Sequence, residues 1–225
     1  MRVHPHPITT RQPGYFSLKA LLLLGFSVFF VFACGRQCEE SFYTGERIQA
    51  WMDHYGLTTD HFQAAERFDR HYSLEQAFEE GDRALYTDLF VYSADSALAI
   101  DLDSYHLVLE DTPYGLFSPG REVDMEVGLI DFERGVRSRL LFCGTPCLFE
   151  EAGFHPDGHI LVAGFVENEQ GWHPCIWKTS RKEAFIEQRL AQQTIPVKDL
   201  DYIHRVRLPH IRFWFEDITS ENRPD

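Results

Sequence analysis

Five cysteines and eleven histidines are the residues from which redox or metal chemistry could be built in this chain of 225 residues. Cys143 and Cys147 flank Gly144-Thr145-Pro146, a turn-forming sequence, so the two sulfurs can reach each other and a structural disulfide is expected. The same pair, with His155, His173 and Cys175 near it in sequence, also has the ligand types preferred by Zn(II) and Cu(I). Metal binding or thiol redox chemistry at Cys143 and Cys147 is therefore the alternative reading. Cys38 and Cys175 are open either to a bond with each other or to remaining free thiols.

Carboxylates are the second source of chemistry. Glu122, Asp124 and Glu126 alternate, which places them on one face of a strand, and a solvated face accounts for that spacing. Asp101-Leu102-Asp103-Ser104 has the opening of a calcium loop but lacks the glycine and bidentate Glu that complete one, so it reads as a polar strand end. Ser118-Pro119-Gly120-Arg121-Glu122 reads as a hairpin turn. His54, His61 and His71 fall beside Arg and Asp on expected helix surfaces. There is no His-Glu-x-x-His, no Gly-x-Ser-x-Gly and no Walker loop. On this basis no catalytic residue, metal ligand or cofactor is assigned.

The elements expected to position these residues divide the chain. Ile48, Trp51, Met52 and Tyr55 follow helical spacing up to Gly56, and Phe62, Ala65, Phe68 and Tyr72 suggest a second helix. Ser73 and Gln76 suggest a capping box for a third, carrying Leu74, Ala77 and Phe78. Between 85 and 178 short Val-, Ile-, Leu- and aromatic-rich runs separated by Asp, Gly and Pro predict antiparallel strands at 86–92, 97–102, 106–110, 126–131, 136–142, 159–166 and 172–178. A helix over 181–193 and an edge strand within 202–215, where Ile211, Phe213 and Phe215 alternate with Arg212 and Trp214, complete the reading. The expected fold is α+β: N-terminal helices packed on an antiparallel meander sheet, one later helix and a C-terminal strand. A single globular domain is expected over 44–225, helical over 44–81, mainly β over 85–178, with the helix and edge strand over 181–216.

The N-terminus reads as an export signal. Residues 1–19 hold Arg2, Arg11 and Lys19 with no acid, and a fourteen-residue apolar run, Ala20 to Ala33, ends at Cys34. That run falls short of the roughly 20 residues of a spanning helix. Residues 1–33 are thus expected to be a signal peptide and 34–43 a tether. Removing the segment leaves 18 basic against 35 acidic side chains, a charge of −17 instead of −14. Such a chain is a poor partner for nucleic acid, whose phosphates require Lys and Arg, and anionic headgroups would repel it. With 14% aromatic residues and a mean hydropathy of −0.28, it has enough apolar side chains for a core and too few for several membrane spans.

Val31-Phe32-Ala33-Cys34 resembles the lipobox of bacterial lipoproteins. The resemblance implies cleavage before Cys34 and diacylglycerol on its sulfur, although Phe32 is larger than the residue usual there. It also implies a cell-envelope protein held at the membrane by lipid, with Gly35 after the cysteine favouring the outer membrane. A secreted or signal-anchored protein is the alternative. Phe154-His155-Pro156-Asp157-Gly158 before His159–Val162 parallels Tyr92-Ser93-Ala94-Asp95-Ser96 before Ala97–Ile100, and Cys175-Ile176-Trp177-Lys178 follows the later copy. These hairpins resemble those of WD40-type β-propeller blades, over about ninety residues. The chain is short for the four or more blades of ~40–50 residues that closure needs, so the expectation is blade-like hairpins in a compact meander. Together these features suggest a membrane-anchored envelope lipoprotein whose soluble domain is a non-catalytic module binding an envelope protein or a glycan.

Overall fold

The computed structural model describes residues 45–69 and 74–214. Cys34, Cys38, the signal and the whole tether lie outside these residues, as do His71, Tyr72 and Phe215. The described chain is mostly β. Its strands are β1 (Glu66–Asp69), β2 (Glu75–Ala77), β3 (Val91–Tyr92), β4 (Leu98–Asp101), β5 (Leu107–Thr112), β6 (Gly115–Arg121), β7 (Met125–Asp131), β8 (Val136–Cys143), β9 (Cys147–Phe154), β10 (Ile160–Asn168), β11 (Gly171–Thr179), β12 (Phe185–Leu190) and β13 (Arg212–Phe213). They form three sheets, ordered β1-β12-β11-β10-β9, β2-β8-β7-β4-β3 and β13-β6-β5. The two five-stranded sheets bury a common core. Ile100, Val127, Leu129 and Leu141 come from one sheet and Phe149, Ala152, Val162 and Trp177 from the other, as in a β-sandwich.

This corrects the α+β expectation. Among the described residues the one α-helix is α1 (Glu46–His54), which buries Ile48, Trp51 and Met52 as its spacing predicts. The second expected helix is instead a short 3-10 turn, Thr59–His61, followed by β1, on which Phe68 is exposed. The third is β2, paired along the edge of β8 through Glu75, Gln76 and Ala77. A 3-10 segment, Glu80–Leu89, occupies most of the expected strand at 86–92. The helix expected over 181–193 is β12, whose Glu187, Gln188 and Arg189 are good helix formers. Pairing with β11 on one side and β1 on the other satisfies its backbone and overrides that preference. At the C-terminal end Ile203–Arg207 forms a single π-helical turn capped by Tyr202, and only Arg212–Phe213 is strand, parallel to β6. The alternation there holds nonetheless: Ile211 and Phe213 are buried, Arg212 and Trp214 exposed.

Two strands absent from the sequence reading matter most. The expected turn at Ser118–Glu122 belongs largely to β6, and the residues after Cys147 form β9. β9 contains a bulge. Glu151 pairs with Ala163 and Phe149 with Gly164, leaving Glu150 without a partner on β10. A Cβ on Gly164 would fall on the Leu148 carbonyl oxygen, so this close approach requires glycine. The extra residue turns Glu150 and Glu151 toward α1 and the Tyr202–Arg207 turn, on the face opposite the sandwich core. Among the described residues no helix is long and apolar enough to cross a membrane.

Candidate functional site: a buried carboxyl in a cavity

Glu150 is 1% exposed and accepts hydrogen bonds at Oε2 from the Trp51 indole N–H (2.8 Å) and the Tyr55 hydroxyl (2.9 Å). Its Oε1 has no partner. Burial raises its pKa to about 7, against the two hydrogen bonds, which favour the ionised form. Next to it Glu151 has a different setting. Arg47 Nε donates to Oε1 at 2.9 Å and the Tyr202 hydroxyl to Oε2 at 2.9 Å. The bulge thus presents two consecutive carboxyls to one side, one paired with a guanidinium and one facing neutral donors.

Glu150 lines a cavity of about 390 Å³, within the usual range for small-molecule sites. Around it stand His106 from the turn before β5, Arg121 at the end of β6, Trp172 on β11 and His204 on the π-helical turn. Leu148, Val197 and Ile203 add apolar surface and Thr145 a hydroxyl. His106 is 3% exposed, and its Nδ1, like Glu150 Oε1, has no partner. Burial pushes its pKa down to about 4, so the imidazole is neutral near pH 7. Arg121, itself exposed, is within electrostatic reach of Glu150. An ionisable acid held near neutrality, a neutral imidazole and an aromatic ring around one cavity form a constellation able to bind a polar ligand.

None of these residues was singled out from sequence as a site residue. Cys143 and Cys147 were, and their sulfurs stand at disulfide distance with Cα atoms 5.8 Å apart. The bond links the last residue of β8 to the first of β9, hence one five-stranded sheet to the other, and Cys147 lines the cavity. Cys175 is fully buried in the sandwich core, where burial raises its thiol pKa well above the ordinary value. The suggested additional ligands do not gather at the pair. His173 faces the Ala191 carbonyl (3.0 Å) and Asn168 Oδ1 (3.1 Å), and His155 Nδ1 lies 2.6 Å from Asp157 Oδ1. Among the described residues no three His, Cys, Asp or Glu side chains are grouped to hold a metal.

The carboxylates read as solvated or strand-end residues are corrected in one respect. Glu126 is 3% exposed and forms ion pairs with Arg137 and Arg139. Asp101 is fully buried between Arg83 (2.9 Å) and Arg137 (2.8 Å), and Asp103 pairs with Arg207. The Asp101–Ser104 segment is thus an ion-paired strand end, its carboxylates engaged by arginines. His54 is partnered too, by Asp201 at 2.8 Å. Compared with protein-family models, curated protein sequences and solved structures, the chain matches none.

Proposed function

We propose that the domain is a sugar-binding module of an exported, membrane-anchored protein, and that its site is the cavity around Glu150. The observation that carries this reading is the pair of buried polar atoms, Glu150 Oε1 and His106 Nδ1, that border the cavity without a partner. A buried polar atom without a hydrogen bond is costly, and a ligand hydroxyl would complete both. Trp172 offers an indole surface against which the C–H face of a sugar ring packs, with its N–H as a polar handle. A cavity of this size suits one or two sugar units better than the flat contact of a protein partner. Anchoring rests on the Ala20–Cys34 sequence alone, with lipid on Cys34.

Titration with a panel of mono- and disaccharides, followed by tryptophan fluorescence and calorimetry, tests the site. Saturable binding that is lost in Trp172→Ala is expected, while no response to any sugar would sink the reading. For the anchor, Cys34→Ser should release the protein from the membrane fraction and alter its mobility. Unchanged fractionation and mobility would dismiss the lipid. A second reading, thiol or metal chemistry at Cys143 and Cys147, draws on Cys147 bordering the same cavity. Thiol counting on protein from its natural compartment separates it, because fully blocked thiols without bound metal would remove it.

A further inference from the structure

We infer that the cavity interconverts the anomers of the reducing sugar it binds, with Glu150 protonating the ring oxygen and His106 taking the proton of the anomeric hydroxyl. The inference rests on the sugar reading and adds a reaction to it. Opening a sugar ring needs an acid and a base at the two oxygens of one carbon, so both groups must border one cavity. Glu150 comes from the bulge of β9 and His106 from the turn before β5, and both line this cavity. Each is anchored and leaves one atom over. Trp51 and Tyr55 donate to Oε2 of Glu150, which leaves Oε1. The backbone of His106 donates to the Asp103 carbonyl at 3.2 Å and accepts from the Glu122 N–H at 2.7 Å, and the ring Nδ1 is left. Glu151, one residue further on, is unsuited to the same work, because Arg47 and Tyr202 engage both of its oxygens.

In the reaction His106 Nδ1, with the ring proton on Nε2, accepts the proton of the anomeric hydroxyl. The electron pair left on that oxygen forms the C1 carbonyl as the bond from C1 to the ring oxygen breaks, and the ring oxygen takes the proton of Glu150. Rotation about the C1–C2 bond turns the other face of the aldehyde to the new hydroxyl. Ring closure then returns that hydroxyl's proton to the Glu150 carboxylate, while His106 gives its proton back to the carbonyl oxygen. Only protons are exchanged, and both side chains end as they began. Burial keeps Glu150 protonated up to about pH 7 and His106 neutral down to about pH 4, so both are in working form between those values. α1 faces Glu150 with the Trp51 and Tyr55 donors, and β6 with Arg121 and Glu122. The 201–207 segment adds Arg207, which favours ionisation of Glu150, and Asp201, which opposes it; His204 also borders the cavity. His106 is faced by Asp103 and Asp101, which favour its protonation, and by Arg207 and Arg121, which oppose it. The rate should therefore be level between about pH 4 and about pH 7 and fall above it by up to tenfold per pH unit.

The test is polarimetry of the reducing sugars of the saccharide panel, freshly dissolved as α anomers beginning with α-D-glucose and α-D-galactose, with and without the whole protein. At least one should reach its equilibrium rotation faster, at a rate that saturates in sugar and follows this pH profile. General acids and bases contribute about 10²–10⁴-fold each, so Glu150→Gln and His106→Asn should each lower kcat at least about a hundredfold with KM little changed. The methyl α-glycoside of the responsive sugar has no anomeric O–H. It should bind the parent and both variants in calorimetry, which separates lost chemistry from a lost fold, and inhibit the parent competitively. A variant that binds this glycoside and keeps the parent rate overturns the role given to its residue. Where a variant fails to bind it, the parent decides: a rate that does not fall above about pH 7 overturns the assignment to Glu150. Sugars that bind without faster mutarotation would overturn the reaction and leave the sugar reading standing. A panel in which none binds would reject both.

Discussion

Asp101 and Glu150 are both carboxyls at the ends or bulges of core strands, and both are withdrawn from water, yet they are held in opposite states. Burial works against ionisation at each. At Asp101 the charge of Arg137 and hydrogen bonds from Ser104 more than reverse that penalty, so its pKa falls below the ordinary carboxylate range. The Arg137 guanidinium lies directly over Gly128, where any Cβ would collide with it, and reaches Asp101 on one side and Glu126 on the other. Glu150 has only neutral donors within hydrogen-bond distance, and its pKa rises to about 7. Burial therefore does not mark a functional carboxyl; the nature of its partner does. In the Asp101 region each carboxylate is engaged by an arginine, whereas Glu150 has no cation within hydrogen-bond distance and an Oε1 without a partner that borders the cavity.

The contrast can be broken most forcefully at Arg137. Arg137→Met would leave Asp101 and Glu126 buried without their shared cation, and urea unfolding should show a loss of about 3–5 kcal/mol. A loss below ~1 kcal/mol would mean that the paired region is no more dependent on its charges than the cavity is.

A smaller effect, of ~3 kcal/mol across the pH window for each of two cavity groups taken singly, is expected at the cavity. Glu150 has a raised folded pKa, so between about 4.5 and about 7 the unfolded chain binds fewer protons at this site and stability falls as pH rises. His106 has a lowered folded pKa, so between about 6.5 and about 4 the unfolded chain binds more protons and stability falls as pH drops. The two slopes oppose each other over nearly the same range. Unfolding measured from pH 4 to pH 7.5 should show a shallow dependence in the parent, a rise with pH in Glu150→Gln and a decline with pH in His106→Asn. Parallel profiles in all three would show that the two groups do not titrate as their burial requires.

Gly164→Ala tests the bulge that turns Glu150 into the cavity. The added methyl would meet the Leu148 carbonyl, and crowding of this kind costs up to ~3 kcal/mol. Sugar binding should weaken alongside, while hydrogen exchange around Asp101 stays unchanged. Last, Cys143→Ser with Cys147→Ser opens a short loop and should cost roughly 2 kcal/mol. Exchange should rise on the β9 side, by the cavity, more than at the Arg137 ion pairs.

Short apolar runs bounded by turn residues are legible in the sequence. Strands β4, β7, β8, β10 and β11 lie within two residues of their expected ends, because each is a run rich in Val, Ile, Leu and aromatic residues bounded by Asp, Gly or Pro. α1 was equally clear from Ile48, Trp51 and Met52. β12 was misread because Glu187, Gln188 and Arg189 favour helices, and nothing local reports that β1 and β11 flank them. β9 failed for another reason. Its core-facing residues, Phe149, Ala152 and Phe154, are spaced by three and then by two, which fits neither a strand nor a helix. That irregular spacing was the available signal for the candidate site. His106, Arg121 and Trp172 meet Glu150 only through the pairing of distant strands, and no local spacing could announce it.

The bulge has a genetic corollary. Phe149 pairs with Gly164 and Glu151 with Ala163, so excising the single residue Glu150 would join two neighbouring rungs into an uninterrupted ladder. Phe149, Ala152 and Phe154 would keep their inward faces with regular alternation. The acid at the cavity thus corresponds to one codon that the sheet can accommodate but does not require. Gain or loss of that codon would make or abolish the site without redrawing the fold, a route from scaffold to binding protein shorter than any series of substitutions.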